Sequence, residues 1–409
     1  MVEKDFKKIC VEIAFIPLRK VKFMFSYDRE KVINEERIKR LINWYEGRKT
    51  GPFQIDVELH KRCNLRCLFC ARYEEHEKLN RESKKYELTK RKWIEIVEEA
   101  KEIDAVVWNI EGINEPPLVS HIFFPVINKV KELGMYGILT TNGTTWNEKQ
   151  LKNLVEISWD RIHFSIHSSK PGLHDTLTQK RGSFKRVVKS VRILNKWKRK
   201  FKSERPMLNI NVCVNRLNFR DLPNIVKLAH KLKADYLFTE PLMVYSPIQE
   251  SLRIKEEEMK ELEKIVEKAS KLAKKYGIDN NFATVDRNLE EEIVESASKM
   301  KPLLIKEVKN LNMKFISAPC FKPWTQIAIR FDGSVTFCGY SETRENVKNK
   351  SLKEIWFGEI FENARKKMLN KKLYPHCNKC VPSDFTQKRR FRNELIRSLS
   401  EKYGGGNSK

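Results

Sequence analysis

From residue 53 onward the spacing of apolar and polar positions switches back and forth between two periods. Short apolar or alternating runs at residues 53–59, 105–112, 136–141, 161–167, 208–214 and 236–239 read as strands. Between them, apolar residues recur at three- and four-residue steps over 93–103, 124–133, 148–157, 184–201 and 222–232, which reads as helices. Pro125 suits the first turn of its helix. Six strands alternating with helices predict a parallel sheet with right-handed crossovers, so the fold class is α/β, a partial (β/α)6 barrel. In such barrels the chemistry sits at the carboxyl ends of the strands.

The flanks differ. Residues 1–50 form a basic extension with a helix over 32–44, and the barrel spans 51–245. A charged amphipathic helix over 255–275 dominates a helical bridge, 246–312. A small C-terminal domain follows at 313–385: strands over 324–331 and 334–337 joined by the Asp332-Gly333 hairpin turn, then a helix over 352–369. Residues 386–409 make a basic helix and a frayed tail. No apolar run approaches the roughly eighteen residues that cross a bilayer. Lys4, Lys7 and Lys8 precede a short apolar run, but Glu12 interrupts it, so a structural element is expected there instead of a leader.

Charge changes the picture. The formal net charge of +27 predicts attraction to RNA, acidic membrane surfaces or other phosphate-bearing partners. Residues 185–205 carry ten Lys or Arg against the single Glu204, with Trp197 and Phe201 interleaved. That pattern suits a phosphate backbone, and equally a solvated outer helix whose Val187, Val188, Val191 and Leu194 face the core. Nine cysteines, seven of them in two groups with metal-like spacing, argue for a reducing compartment and a cytoplasmic protein. Cys10 and Cys213, outside the groups, read as packed thiols.

The first group is Cys63-x3-Cys67-x2-Cys70, directly after the first strand. Three thiolates at a strand end can hold a four-iron cluster with one iron left open to a small molecule. With His60 or His76 as fourth ligand, the same residues suit zinc. The triplet, with Phe69 before its last cysteine, resembles the radical S-adenosylmethionine (SAM) superfamily. The resemblance implies a [4Fe-4S] cluster on Cys63, Cys67 and Cys70 that chelates SAM and cleaves it reductively to a 5′-deoxyadenosyl radical for hydrogen abstraction.

Weaker motifs follow at successive strand ends. Gly112 to Glu115 resembles the family's Gly-Gly-Glu-Pro segment, with Asn114 in place of the second glycine; Glu115 is expected to hold the SAM ammonium. Asn142 lies in a Thr-Asn-Gly segment, and Ser165 and His167 stand where the family has Ser-x-Asp, with histidine replacing aspartate. Arg181 opens an Arg-Gly-x-Phe segment in which Ser183 reads as a helix N-cap. On the fifth strand Asn209, Asn211, Cys213 and Asn215 share one face, and Asn211, His167 and Arg181 are candidate substrate contacts. The resemblance singles out no catalytic acid or base.

The second group is Cys320, Cys338, Cys377 and Cys380. Four thiolates can close around zinc or a second [4Fe-4S] cluster. The surrounding residues, from Pro323-Trp324 to Trp356, resemble the SPASM/twitch auxiliary-cluster domains, which implies one auxiliary cluster fully ligated by the four cysteines in preference to His376. The implied partners are SAM, a low-potential electron donor and a peptide or protein substrate. RNA modification is the alternative, and a non-catalytic zinc or iron–sulfur nucleic-acid-binding protein is a reading of another class.

Overall fold

Strands β1 (Gln54–Val57), β2 (Val107–Ile110), β3 (Tyr136–Thr141), β4 (Arg161–Ser165), β5 (Met207–Val214), β6 (Tyr236–Pro241) and β7 (Asp279–Asn280) lie side by side in chain order, every neighbouring pair parallel. The computed structural model describes residues 18–112, 114–282, 312–339, 341 and 345–403. The expected Cys10 and most of the far half of the expected bridge fall outside the described residues.

The crossover helices are α3 (Lys90–Glu102), α4 (Ser120–Glu132), α5 (Glu148–Glu156), α7 (Ser183–Lys200) and α8 (Leu222–Lys231), after α1 (Leu18–Tyr45) and α2 (His76–Glu82) and with α6 (Pro171–Thr178) before α7. Each buries one apolar stripe. Trp93, Ile96, Val97 and Ala100 do so on α3, each larger side chain contributing about 2 kcal/mol. Thr89 caps α3 by accepting the Lys92 N–H, and Asn147 and Gln150 form a capping box on α5. Gly137 lets β3 pass beneath Trp159: a Cβ there would come within 2.4 Å of the indole ring.

Several expectations are corrected. Pro125 lies inside α4, because the helix already begins at Ser120 after a 3₁₀ turn at Pro116–Val119. Ser183 is the first residue of α7, not its cap. Asp175 of α6 does the capping, accepting the Gly182 and Phe184 N–H groups at 2.5 and 2.9 Å and the Ser183 hydroxyl at 2.9 Å.

The bridge helix, α9 (Met259–Tyr276), buries Leu262, Val266, Ala269 and Ala273 in the barrel's own core and leads into β7. It is therefore a further β/α crossover.

The C-terminal hairpin also joins the barrel. β8 (Gln326–Ile329) runs parallel to β1, pairing Gln54 with Gln326 and Val57 with Ile329, and β9 (Val335–Thr336) returns antiparallel on it. The expected helix over 352–369 is two helices, α10 (Leu352–Trp356) and α11 (Glu359–Leu369). They break at Gly358, where a Cβ would sit 2.4 Å from the Glu354 carbonyl oxygen. Finally, α12 (Pro382–Tyr403) packs with α1 through a second core that includes Leu41, Phe321, Trp324 and Leu395. Arg40 of α1, almost fully buried, donates to the carbonyls of Gly51, Pro52 and Asp104, fastening α1 beneath the sheet.

Candidate active site

The Cys63–Cys70 loop leaves β1 and is held by residues far away in the chain. Asn80 accepts the Cys63 N–H at 2.9 Å and donates to its carbonyl at 3.1 Å. Gln249 donates to the carbonyls of Leu68 and Cys70 at 3.1 and 3.2 Å. Sequence reading missed both residues. Gln249 is 181 positions from Leu68, and nothing local marks it.

Burial pushes all three thiols up, Cys63 to about 11, and the charge of neighbouring thiols adds to the rise at Cys63 and Cys67. Clustered thiols that are costly to ionise alone suit a group that displaces their protons. Among the described residues no three His, Cys, Asp or Glu side chains converge closely enough for a single metal ion.

The loop after β3 is laced onto this one. Asn142 donates to Asn64 at 2.9 Å and approaches the Cys63 sulfur at 3.6 Å, while Asn64 donates to Thr144 at 2.8 Å. Glu115 sits beneath, fully buried, accepting the Thr141 hydroxyl at 2.6 Å, the Asn142 N–H at 2.7 Å and the Thr145 hydroxyl at 2.9 Å. Burial raises its pKa to about 7 against those donors. The carboxylate expected to meet an ammonium thus spends most of its lone pairs on the β3 loop. Next to it, the buried Asn114 has an Oδ1 with no partner, an acceptor suited to an amine. Gly112, at φ +120°, is a position where a Cβ would meet Asn114 and Glu58.

Phe69 and His167 pack ring to ring at 4.4 Å, and His167 stacks in turn on His174. His167 Nδ1 accepts the Cys213 N–H at 3.2 Å, and burial followed by the charge of His174 keeps the ring neutral. Ser165 ends β4 opposite Asn211. Arg181 is exposed, and its carbonyl accepts the Arg186 guanidinium. A half-open cavity of about 2890 Å³ runs through the sheet and out against α1 and α12, lined among others by Asp56, Glu111, Thr140, His163, Asn209 and Asn211. Cys213 is half-buried, and its thiol is pushed up by desolvation, next by Glu240 and then by Cys70.

In the second group Lys388 donates to the Cys380 sulfur at 3.0 Å. Burial opposes its charge, but Cys320 and Cys380 keep it protonated; Cys320 likewise favours the charge of Arg392, and Cys338 that of Lys322. Cations around four thiols suit an anionic thiolate cluster.

The sequence agrees with this geometry. Residues 57–229 match the model of the radical SAM superfamily, and residues 320–381 match that of the SPASM iron-sulfur cluster-binding domain. A tungsten-containing aldehyde ferredoxin oxidoreductase cofactor-modifying protein of Pyrococcus furiosus is 23% identical over 356 residues, covering 80% of this chain and 87% of its own.

Among solved structures, SuiB of Streptococcus suis bound to S-adenosylmethionine shares the fold with a TM-score of 0.58 at 16% identity, over 77% of this chain and 68% of its own. Native anSMEcpe with bound AdoMet does so with a TM-score of 0.54 at 14% identity, over 87% and 100%. Two iron–sulfur clusters and SAM are the cofactors these domains carry. With a parallel barrel whose first strand ends in the cysteine triplet and a second cysteine group behind it, the chain belongs to the radical SAM superfamily as an enzyme with a C-terminal SPASM domain.

Proposed function

We propose that this enzyme modifies a peptide or protein, with Cys63, Cys67 and Cys70 holding the SAM-binding cluster and Cys320, Cys338, Cys377 and Cys380 the auxiliary one. The observation that carries the substrate reading is the cavity. At about 2890 Å³ it is several times the size of a usual small-ligand pocket, leaving room for a chain segment beside SAM. SuiB bound to the precursor peptide SuiA and anSMEcpe bound to AdoMet and a peptide are folds of this kind with peptides in place.

When bound, the first cluster supplies the electron that cleaves SAM. The chain's own residues do the rest. Asn80, Gln249 and Asn142 fix the cysteine loop, and the Asn114 Oδ1 and Glu115 present acceptors to the SAM ammonium. Phe69, braced by His167, holds the end of the cysteine loop against the end of β4. Ser165, at the end of β4, and Asn211, opposite it within β5, would face the ribose and the substrate. Arg181 belongs to the rim, reaching an anionic group only from outside. Cys320, Cys338, Cys377 and Cys380 would hold the auxiliary cluster, with Lys388 against the Cys380 sulfur, and that cluster would supply electron transfer or structural support.

Domain limits follow the same reading: the extension at 1–50, the barrel at 51–245 continued by α9 and β7, and the auxiliary domain at 313–385 sharing the barrel's sheet through β8.

The basic outer face of α7 supports a second reading, an RNA substrate. Trp197 stacks on Phe201 with ring centroids 5.5 Å apart, and Lys152, Lys196 and Lys200 lie over Trp197. The deciding experiment is anaerobic: reconstituted enzyme, SAM, reductant and either a peptide library or total RNA, read as 5′-deoxyadenosine and mass change. Peptide labelling supports the proposal; RNA labelling with steep salt dependence replaces it with the second reading.

A further inference from the structure

Below the strand ends, one layer of the lumen is arranged around an acceptor that has no donor. In the parallel registers Thr140 lies opposite His163, and His163 opposite Asn209. His163 Nδ1 is 3.0 Å from the Asn211 Oδ1, and its Nε2 is 3.4 Å from the Asn209 Nδ2. An amide oxygen only accepts, so Nδ1 carries the proton and Nε2 receives the Asn209 amide. Burial first, then the charge of Arg161, lowers the His163 pKa to about 4, so the ring stays neutral and the relay keeps one orientation.

Its consequence falls on Asn209. The amide nitrogen is committed to the imidazole, and Oδ1 has no partner, although the residue is only 2% exposed and lines the cavity. A buried acceptor held without a donor costs stability unless something supplies one.

Glu111 is the second acceptor, one residue past β2 and also on the cavity wall. Its neighbour Asp56 is fully engaged, accepting from Gln54 at 2.6 Å, from Asn109 at 2.8 Å and from Gln326. Glu111 is exposed to the cavity, with protein packed around that cavity: desolvation, then the Asp56 charge, raises its pKa to about 8. Two carboxyl groups side by side gain from a cation brought between them. Lys322, on the same cavity wall, already acts on both carboxyl groups while its Nζ pairs with Asp384 at 2.5 Å, and Arg161 lies one layer deeper, beside Ile138 and Met207, so a substrate cation would add to this partial neutralisation.

We propose that this layer is the pocket for a cationic, hydrogen-bond-donating group of the substrate, an ammonium or guanidinium, accepted by the Asn209 Oδ1 and the Glu111 carboxylate. The pocket would select a Lys- or Arg-like side chain for presentation to the chemistry above, and it rests on the reading of the lumen as the substrate's place.

The test is calorimetric titration of the reconstituted holoenzyme with SAM bound, using N-acetyl-lysinamide, N-acetyl-argininamide and, as the apolar control, N-acetyl-norleucinamide. At least one cationic amide should bind about tenfold tighter than the control, and Asn209→Leu and Glu111→Gln should each remove most of that preference. Equal binding of all three amides, or a preference untouched by both variants, overturns the proposal. If Asn209→Leu does not fold, Asn209→Asp decides: it keeps an acceptor and adds charge, so tighter cation binding supports the pocket and unchanged or weaker binding overturns it. 5′-Deoxyadenosine formation, followed in parallel, separates the two readings. SAM cleavage without cation preference removes the pocket alone, and cation preference without SAM cleavage removes the enzymatic reading alone.

Discussion

The ring of Phe69 stands 4.4 Å from that of His167, whose Nδ1 accepts the Cys213 N–H at 3.2 Å. One neutral imidazole therefore joins the cysteine loop to β5. Replacing it with alanine leaves a buried N–H unpaired and a void under Phe69. We expect His167→Ala to lose about 2–4 kcal/mol by denaturant titration and to weaken SAM binding, with His167→Asn recovering part of both. Wild-type values for the alanine variant would show that the imidazole bears no load.

Each cysteine group should answer separately to mutation. Cys67→Ala is expected to abolish 5′-deoxyadenosine formation while keeping about half of the iron, the share of one of two four-iron clusters. Cys380→Ala should also lose about half of the iron, yet retain SAM binding. Iron and sulfide analysis with EPR checks both; full iron in either variant would mean that the ligand was misassigned.

Lys388 donates to the Cys380 sulfur. Hydrogen bonds and positive charge at the sulfurs favour the reduced, more negative cluster. Lys388→Met should therefore move the auxiliary midpoint to more negative potential and leave the SAM-binding cluster unchanged, as read by EPR-monitored redox titration. A shift of the first cluster instead would exclude the local explanation.

Buried imidazoles set an acid limit. Burial is the main cause that lowers His60 to about 3 and His163 and His174 to about 4. The unfolded chain takes up these protons near pH 6.5 and the folded one does not, so stability is complete above pH 6.5 and falls as the pH drops toward 4. Glu115, raised to about 7, and Glu111, raised to about 8, act in the opposite sense above pH 4.5 and offset part of this decline. The loss per imidazole is on the order of 1–3 kcal/mol. His174→Gln should flatten the decline of the urea midpoint between pH 7 and 5 relative to wild type; parallel curves would remove His174 from the account.

Gly137 passes under Trp159 with no space for a side chain. Gly137→Ala should cost about 1–3 kcal/mol, because the indole is fully buried and cannot move aside. Thermal denaturation against the exposed control Gly172→Ala, where a Cβ meets nothing, would show whether the clash matters.

What the sequence determined by itself was local. The order of strands and helices follows from apolar periodicity, and the Cys63–Cys70 spacing places three thiols on one loop because a few residues of chain cannot separate them. The motifs at Glu115, Asn142 and Ser165 could be read for the same reason: each lies at or a few residues past the end of a strand, and strand ends gather at one face of a parallel sheet.

Tertiary structure decided everything that depends on which strands become neighbours. That Gln249 clamps the cysteine loop, that β8 pairs with β1, that α9 is a crossover and not a bridge, and that Asp175 caps α7 depend on contacts across the fold. So does the role of His167, which the motif set against SAM and the packing turned toward Phe69 and Cys213. The lumen layer of His163, Asn209 and Glu111 is the clearest case. His163 and Asn209 come from β4 and β5 and Glu111 from just past β2, and only register sets the imidazole between two amides and leaves one oxygen without a donor.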